Sequence, residues 1–321
     1  MLIARRSLGN QRGTGKKKSK AESRRPKAQL PALPPGKRLC YSAAVRLCVL
    51  ASGSGGNCLW AEADGARVLV DAGLSAKETA RRCHAAGLEL RDLTGILLTH
   101  EHADHAGGAA VLARKLGVPV YATRGTLGAL REAPPEELWR IVEAGRPIAL
   151  GPTFRALPLH AEHDAREPVV YSLEERAPGG AQVRAAVITD VGHAPAPLAE
   201  ALSAHDALVM EMNHDLRRLL DGPYPWSLKE RVRSQHGHLS NAQGAALLAS
   251  VLHEHLRRVV LAHLSQENNT PDLARAAAEK VLDRAGSRAR LEVAAQFEPG
   301  EVMEISPRPR AAQRPRQLAL F

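Results

Sequence analysis

The sequence predicts an α/β protein in which two sheets pack on each other and helices lie outside them. Short apolar runs of strand length occur in both halves of the ordered region, bounded by turn residues. Segments of helix length with capping residues lie between these runs. With 321 residues, the chain can form one large domain or two small ones with a sizeable buried core.

The first half contains the predicted elements that surround a histidine-rich segment. A tight Ser/Gly loop over 51–57 follows the first strand, and the turn Asp64-Gly65 separates the next two. Ser75 caps the first helix, and Gly87 ends it. Strands are predicted over 45–50, 58–62, 66–70, 96–98 and 118–121, and helices over 75–86 and 107–116.

The second half repeats this alternation of strands and helices. Its strands are predicted from short apolar runs rich in Val, Leu and Ile. They cover 154–159, 169–173, 183–188, 207–212 and 258–262, with two final strands over 291–295 and 302–305. Helices are predicted over 197–203, 241–256 and 271–285.

The excess of positive over negative charge is confined to the two ends of the chain. Residues 1–44 carry twelve Lys or Arg and one acid, a net of +11, and 306–321 carry four Arg and no acid. Of the total of +10, this leaves −5 for residues 45–305. We expect a disordered basic arm over 1–44, a folded domain over 45–305 and a flexible tail over 306–321. An early start codon or an organellar transit peptide would also explain the arm.

Composition and spacing exclude several classes of protein. The four cysteines form no Cys-x-x-Cys pair, so neither a zinc-thiolate site nor a disulfide framework is expected. No apolar run approaches the roughly eighteen residues that span a bilayer, and the N-terminus does not resemble a secretory signal. We therefore expect a cytoplasmic protein without a membrane partner.

Three histidines and a carboxylate fall within six residues after the strand predicted over 96–98. They are His100, His102, Asp104 and His105. Divalent metal ions bind imidazole nitrogen and carboxylate oxygen. On an irregular loop, the first two histidines can chelate one ion while Asp104 and His105 face a second. A solvated polar loop is the alternative, but fourteen histidines in 321 residues make such clustering rare by chance.

The pattern His-x-His-x-Asp-His resembles the signature of the metallo-β-lactamase superfamily over about residues 45–305. It implies a four-layer αββα sandwich with a two-metal site at one edge of the sheets. It also implies roles for His163 as third imidazole of the first metal, Asp190 as bridging carboxylate, His263 as last ligand of the second metal and Asp71 beneath the site. His160 is a second candidate for the third imidazole. The resemblance favours His163, because Asp-Ala and then a Pro-Val strand follow it.

The resemblance therefore implies seven candidate metal ligands. They are His100, His102, Asp104, His105, His163, Asp190 and His263. Two ions about 3.5–4 Å apart would share a hydroxide that acts as nucleophile at neutral pH, with Asp104 as a catalytic residue. Because the set contains no thiolate, Zn²⁺ and Mn²⁺ are both reasonable.

Four further stretches, 52–57, 211–215, 237–241 and 263–269, resemble the YycJ/WalJ-like branch of this superfamily. This implies a dinuclear phosphodiesterase, a DNA exonuclease that acts in mismatch repair. A small-molecule hydrolase of the thioesterase or lactonase type is the alternative. His238, at a predicted helix start, is a candidate to contact the scissile phosphate or protonate the leaving oxygen. His214 is a second catalytic candidate, and local packing is the alternative for both.

The last five residues, Gln317-Leu318-Ala319-Leu320-Phe321, follow a Pro- and Arg-rich stretch. They resemble the peptide by which bacterial replication and repair proteins bind the DNA polymerase III β sliding clamp, although packing on the core is the alternative. Aromatic residues make up only 3% of the chain, so we expect DNA contacts mainly to phosphates rather than by base stacking. The candidates for these contacts are the metals, the tails and Arg217, Arg218, Arg231 and Arg233.

Overall fold

A computed structural model describes residues 44–177 and 180–307 of the chain, and their strands form two seven-stranded sheets. The first sheet contains β1 (Val45–Ala51), β2 (Cys58–Ala63), β3 (Ala66–Val70), β4 (Gly95–Leu97), β5 (Val120–Ala122), β6 (Trp139–Ile141) and β14 (Met303–Ile305). The order is β14-β1-β2-β3-β4-β5-β6, parallel from β3 to β6.

The second sheet contains β7 (Ile148–Ala149), β8 (Phe154–His160), β9 (Val169–Arg176), β10 (Gln182–Ile188), β11 (Ala207–Glu211), β12 (Arg258–Ala262) and β13 (Arg290–Val293). Its order is β13-β12-β11-β10-β9-β8-β7, and β10 to β13 are parallel. In each sheet, the carboxyl ends of neighbouring parallel strands therefore meet at one edge.

The helices of the described residues begin and end where local chemistry requires it. They are α1 (Ala76–Ala85), α2 (Ala103–Ala106), α3 (Ala109–Leu116), α4 (Arg124–Ala129), α5 (Ala196–Leu202), α6 (Leu216–Asp221), α7 (Trp226–Val232), α8 (Asn241–Val251) and α9 (Pro271–Arg284). Ser75 caps α1 by accepting a hydrogen bond from the Glu78 amide. Ser240 and Gln243 form a reciprocal capping box at α8. Gly117 ends α3 in the left-handed conformation.

Three buried clusters define the layers of the protein. Residues from both sheets, among them Leu47 and Tyr171, form the cluster between them. A second cluster packs the outer face of the first sheet against α1 and α3, and a third packs the second sheet against α5, α8 and α9. The four-layer αββα sandwich predicted from the sequence is therefore confirmed.

The two sheets are joined by hydrogen bonds close to the histidine-rich segment. The buried Tyr171 hydroxyl on β9 donates to the Leu98 carbonyl at 3.0 Å. The Val169 amide donates to the Thr99 carbonyl, also at 3.0 Å. Because these bonds connect β9 to the chain just after β4, they fix the relative position of the sheets at the edge where the candidate ligands lie.

Several predicted elements differ from the structure. The helix predicted over 107–116 is two short helices, α2 and α3, separated at Gly107 and Gly108. The helix predicted over 241–256 ends at Val251, because Leu252 is extended. His253 and His255 therefore lie after a helix and not on it. The elements α4, α6, α7, β6 and β7 were not predicted, since each is only two to seven residues long.

The ends of the chain are not part of this description. The predicted basic arm, except for Ala44, and the predicted clamp-binding residues 317–321 lie outside the described residues. Within the described ranges, the structure contains no helix with the length and apolarity needed to cross a bilayer.

Candidate metal centre

The candidate ligands lie at or just beyond the carboxyl ends of strands from both sheets. The segment from His100 follows β4, Asp190 follows β10 after one residue, and His263 directly follows β12. Asp71, Asp190 and His263 have φ values of 60°, 58° and 55°. This left-handed region is uncommon for residues with a Cβ and is often occupied at functional sites. Three of the five non-glycine residues with positive φ in the described ranges thus belong to this site.

The first group of side chains comprises His100, His102 and His163. Each offers one donor atom, and these atoms lie within 4.8 Å of one another. The Nδ1 of His163 donates to the Gly237 carbonyl at 2.9 Å, which leaves its Nε2 3.4 Å from His102 Nδ1. His160 is not in this group, since its side chain is 65% exposed. The structure therefore places His163 at the position for which the sequence offered two candidates.

The second group comprises Asp104, His105 and His263, whose donor atoms also lie within 4.8 Å of one another. Asp104 Oδ2 is 3.6 Å from both His105 Nε2 and His263 Nε2. Ligands about 2 Å from a shared tetrahedral ion lie roughly 3.3 Å apart. These separations are therefore close to those expected around a common metal ion.

Asp190 lies between the two groups. Its Oδ1 is 3.6 Å from His163 Nε2, and its Oδ2 is 2.7 Å from His105 Nε2. Burial alone would raise the pKa of Asp190, but the neighbouring His105 and His263 hold it well below its usual range. The carboxylate therefore remains ionised and faces both groups.

Asp71 fixes the orientation of His105 from beneath the site. Its Oδ2 accepts a hydrogen bond from His105 Nδ1 at 2.8 Å, while Oδ1 accepts from the Thr99 amide at 2.8 Å. Burial lowers the pKa of His105, but Asp190 and Asp71 more than offset this and hold it well above its ordinary value. Because Nδ1 is bound to Asp71, the Nε2 of His105 faces the cluster.

Glu211 is a site residue that the sequence analysis missed. Its fully buried carboxylate accepts from His238 Nδ1 at 2.8 Å and His263 Nδ1 at 2.9 Å through Oε1. Oε2 accepts from the amides of Val191 and Leu239. Burial would raise the pKa of Glu211, but the two histidines lower it to about 2. The available signal was a charged residue at the end of β11, an otherwise apolar strand.

The structure brings His238 to the cluster but does not place His214 in it. His238 Nδ1 lies 3.5 Å from Asp190 Oδ1, and its side chain is 19% exposed. His214 is fully buried, and neither ring nitrogen has a hydrogen-bond partner among the described residues. Burial lowers the pKa of His214 to about 4, so this ring is neutral at physiological pH.

The Ser/Gly loop between β1 and β2 borders the site. Ser52 Oγ accepts from the His263 amide at 2.6 Å, and Asn57 Nδ2 lies 2.9 Å from His105 Nε2. The Asn57 amide also donates to the Asp104 carbonyl at 2.6 Å. A Cβ added to Gly73 would lie 1.7 Å from that carbonyl oxygen. These close backbone contacts hold the segment that carries Asp104.

The donor set fits divalent metal ions. His100 Nε2 and His263 Nε2 are buried and have no hydrogen-bond partner in the part of the chain that the structure describes. A buried polar atom without a partner costs roughly 1–3 kcal/mol, so a ligand for these nitrogens is expected. Imidazole nitrogen and carboxylate oxygen are donors suited to zinc and manganese.

Comparisons with known proteins agree with this geometry. Residues 66–264 match the model of the beta-lactamase superfamily domain. The chain is 37% identical over 260 residues to exodeoxyribonuclease YycJ of Bacillus anthracis, covering 80% of this chain and 92% of that protein. It is 35% identical to exodeoxyribonuclease WalJ of Streptococcus pneumoniae, covering 70% and 84%. The metallo-beta-lactamase fold protein YhfI of Bacillus subtilis superposes with a TM-score of 0.58 at 15% identity, covering 82% of this chain and all of that one.

Proposed function

The chain belongs to the beta-lactamase superfamily of metal-dependent hydrolases, and from this we propose that it is a dinuclear phosphodiesterase, a DNA exonuclease that acts in mismatch repair. The observation that carries the proposal is the convergence of two donor groups on the single carboxylate of Asp190. The similarity to two relatives named exodeoxyribonucleases supports DNA as the substrate.

Each group of donors would hold one metal ion. His100, His102 and His163 would hold the first, and Asp104, His105 and His263 the second, with Asp190 shared between them. Bound there, two divalent ions supply Lewis acidity and a hydroxide nucleophile at neutral pH. Asp71 and Glu211 keep the second group in place, because each accepts a hydrogen bond from the Nδ1 of one of its histidines.

His238 is the residue that we assign to proton transfer. Its Nδ1 donates to Glu211, so Nε2 is the nitrogen that can give a proton to the leaving oxygen of a cleaved phosphodiester. Burial lowers the pKa of His238, but Glu211 and Asp190 more than offset this and raise it. This shift favours the doubly protonated ring, which is the form that can donate a proton. His214 is proposed only as a packing residue, because its ring is fully buried and lies outside both donor groups.

The alternative is a small-molecule hydrolase of the thioesterase or lactonase type with the same donors. The net charge of −5 over residues 45–305 favours it, since an acidic domain repels a polyanion. To separate the two, purified protein with Mn²⁺ or Zn²⁺ would be given end-labelled duplex and single-stranded DNA, RNA, a thioester and a lactone. We expect DNA shortening from one end. Turnover of the thioester or lactone with intact DNA would overturn the proposal.

Two variants test whether the activity belongs to this site. His163→Ala should abolish DNA hydrolysis, because His163 is buried within the first donor group. His160→Ala is the matched control, since this histidine lies three residues away with an exposed side chain, and it should retain full turnover. Equal loss in both variants would mean that neither reports on metal binding.

The assignment of the terminal segments rests on their charge and on the resemblance of the last five residues to a clamp-binding peptide. We propose that residues 1–44 and 306–321 are extensions of one domain over 45–305, and that the protein acts in the cytoplasm. Residues 317–321 would bind the DNA polymerase III β sliding clamp, and the preceding tail would serve as a tether. A clamp-bound exonuclease would be delivered to newly replicated DNA, which is where mismatches arise.

A further inference from the structure

The segment between β11 and α8 forms one wall of the metal centre. This segment, residues 215–236, contains α6 and α7 and is called here the α6–α7 segment. Glu211 precedes the segment and His238 follows it, and a 2.8 Å hydrogen bond joins these two site residues.

The α6–α7 segment is attached directly to the first donor group. Arg231 Nε donates to Asp164 Oδ2 at 2.5 Å, and Asp164 Oδ1 lies 3.2 Å from His163 Nε2. The His238 amide donates to the Val232 carbonyl at 2.8 Å. The carboxyl end of α7 is therefore in contact with the metal centre and not merely near it.

Trp226, the first residue of α7, is 56% exposed. The guanidinium carbon of Arg233, the residue that follows α7, lies 5.5 Å from the centre of its ring. The helix beneath is fixed, because the ammonium group of buried Lys229 donates to the Leu220 carbonyl at 2.6 Å. A large aromatic ring is thus held at the surface by an ordered support, which is typical of a binding platform.

The charge of the segment is opposite to that of the domain that carries it. It contains five Lys or Arg and three Asp or Glu, a net of +2 in a domain of net −5. The Arg217 side chain is 91% exposed and that of Arg231 is 57% exposed. An exposed aromatic ring among cations is the arrangement by which proteins bind single nucleic-acid strands, with stacking on the base and ion pairing to phosphates.

We infer that Trp226 stacks on a base of a single DNA strand whose end enters the metal centre, while Arg233 and the neighbouring arginines contact its phosphates. A duplex could not be bound in this way, because its bases are already stacked on each other. The inference rests on the proposed function and differs from the expectation that DNA is contacted mainly through its phosphates: a low aromatic content does not prevent one well-placed ring from stacking.

The experiment measures strand binding without turnover. Fluorescently labelled oligothymidylate, and an abasic strand of equal length and charge, would be titrated with the full-length protein in EDTA and followed by anisotropy. Trp226→Leu keeps an apolar side chain but removes the aromatic face, and Trp226→Phe keeps a smaller aromatic face. Leu116→Ala is the control, because Leu116 is also exposed but lies at the far end of α3, beside Gly117.

Trp226→Leu should raise the Kd for oligothymidylate about tenfold or more and leave the Kd for the abasic strand unchanged. Trp226→Phe should retain most of the wild-type affinity, and Leu116→Ala all of it. Equal affinities of wild type and Trp226→Leu for oligothymidylate would overturn the inference, as would an equal loss for both strands. If the wild type fails to hydrolyse DNA but shows Trp226-dependent binding, the proposed function fails and the platform stands. If DNA hydrolysis is normal but binding does not depend on Trp226, the proposed function stands and the platform fails.

Discussion

Replacing Glu211 by Gln tests how far the site depends on one buried carboxylate that is not itself assigned as a ligand. Its two oxygens accept four hydrogen bonds, two from histidine rings and two from backbone amides. An amide offers one oxygen only, so its NH₂ group must face two N–H donors. Each donor left unpaired in the interior costs roughly 1–3 kcal/mol. The free energy of unfolding of the metal-free protein should therefore fall by roughly 2–6 kcal/mol.

The same substitution should weaken metal binding and turnover. If the amide NH₂ faces the rings, His263 can pair with it only by moving its proton to Nε2, the nitrogen assigned to the metal. Loss of such a supporting partner typically lowers metal affinity or activity by about 10–100-fold. Urea unfolding in EDTA and DNA hydrolysis with Mn²⁺ would measure the two effects separately.

Glu175→Gln is the matched control for this prediction. Glu175 is also buried, but it accepts one hydrogen bond, from the Thr153 hydroxyl, and its Oε2 has no hydrogen-bond partner among the described residues. Burial raises the pKa of Glu175, so a neutral amide suits its surroundings. The Glu175→Gln variant should therefore hydrolyse DNA at the wild-type rate. If Glu211→Gln behaves like Glu175→Gln in both assays, the argument from its four hydrogen bonds is refuted.

Three further changes follow from the same geometry. Gly73→Ala should lower the free energy of unfolding by about 1–3 kcal/mol and weaken metal binding, because the added Cβ would meet the Asp104 carbonyl. Gly128→Ala in α4 is the control: its Cβ enters open space, so urea unfolding should show no change in stability. Metal affinity, measured by competition with a chromophoric chelator, should rise with pH. Burial lowers the pKa of His263, but Asp190 and its other partners raise it to about 10, so a proton must leave before a metal binds. A metal affinity that falls with rising pH would contradict this expectation. Deleting residues 317–321 should abolish binding to purified sliding clamp in surface plasmon resonance without changing nuclease turnover, and unchanged clamp affinity would exclude the assigned contact.

The αββα fold and the donor groups could be predicted from the resemblance of the His-x-His-x-Asp-His pattern to one superfamily, and strand patterns agreed with it. The histidine cluster is contiguous, and Asp190 and His263 each follow an apolar strand that sequence patterns locate well. Since parallel strands end at one edge, residues at their ends meet in space even when they are far apart in the chain. The αββα fold is confirmed, and the structure brings all seven predicted ligands together; their binding of metal stays a prediction.

What could not be predicted depends on contacts between distant segments. Glu211 begins one of the stretches that resemble the family branch, but its role follows only from the positions of His238 and His263 around it. Trp226 lies on a helix of seven residues, too short for a periodic pattern to reveal which residues face solvent. The number of aromatic residues does not determine where one of them lies, so composition could not indicate the exposed position of Trp226.

The left-handed backbone at Asp71, Asp190 and His263 couples backbone strain to function in this protein. Glycine adopts positive φ without steric cost, so it would relieve that strain at each of these three strand ends. Glycine would also remove a buried carboxylate or imidazole in each case. At Asp71, for example, it would leave His105 Nδ1 and the Thr99 amide without their acceptor, which offsets the relieved strain. Engineering for thermal tolerance should therefore leave these three positions untouched, even though replacing residues of positive φ by glycine is a common route to stability.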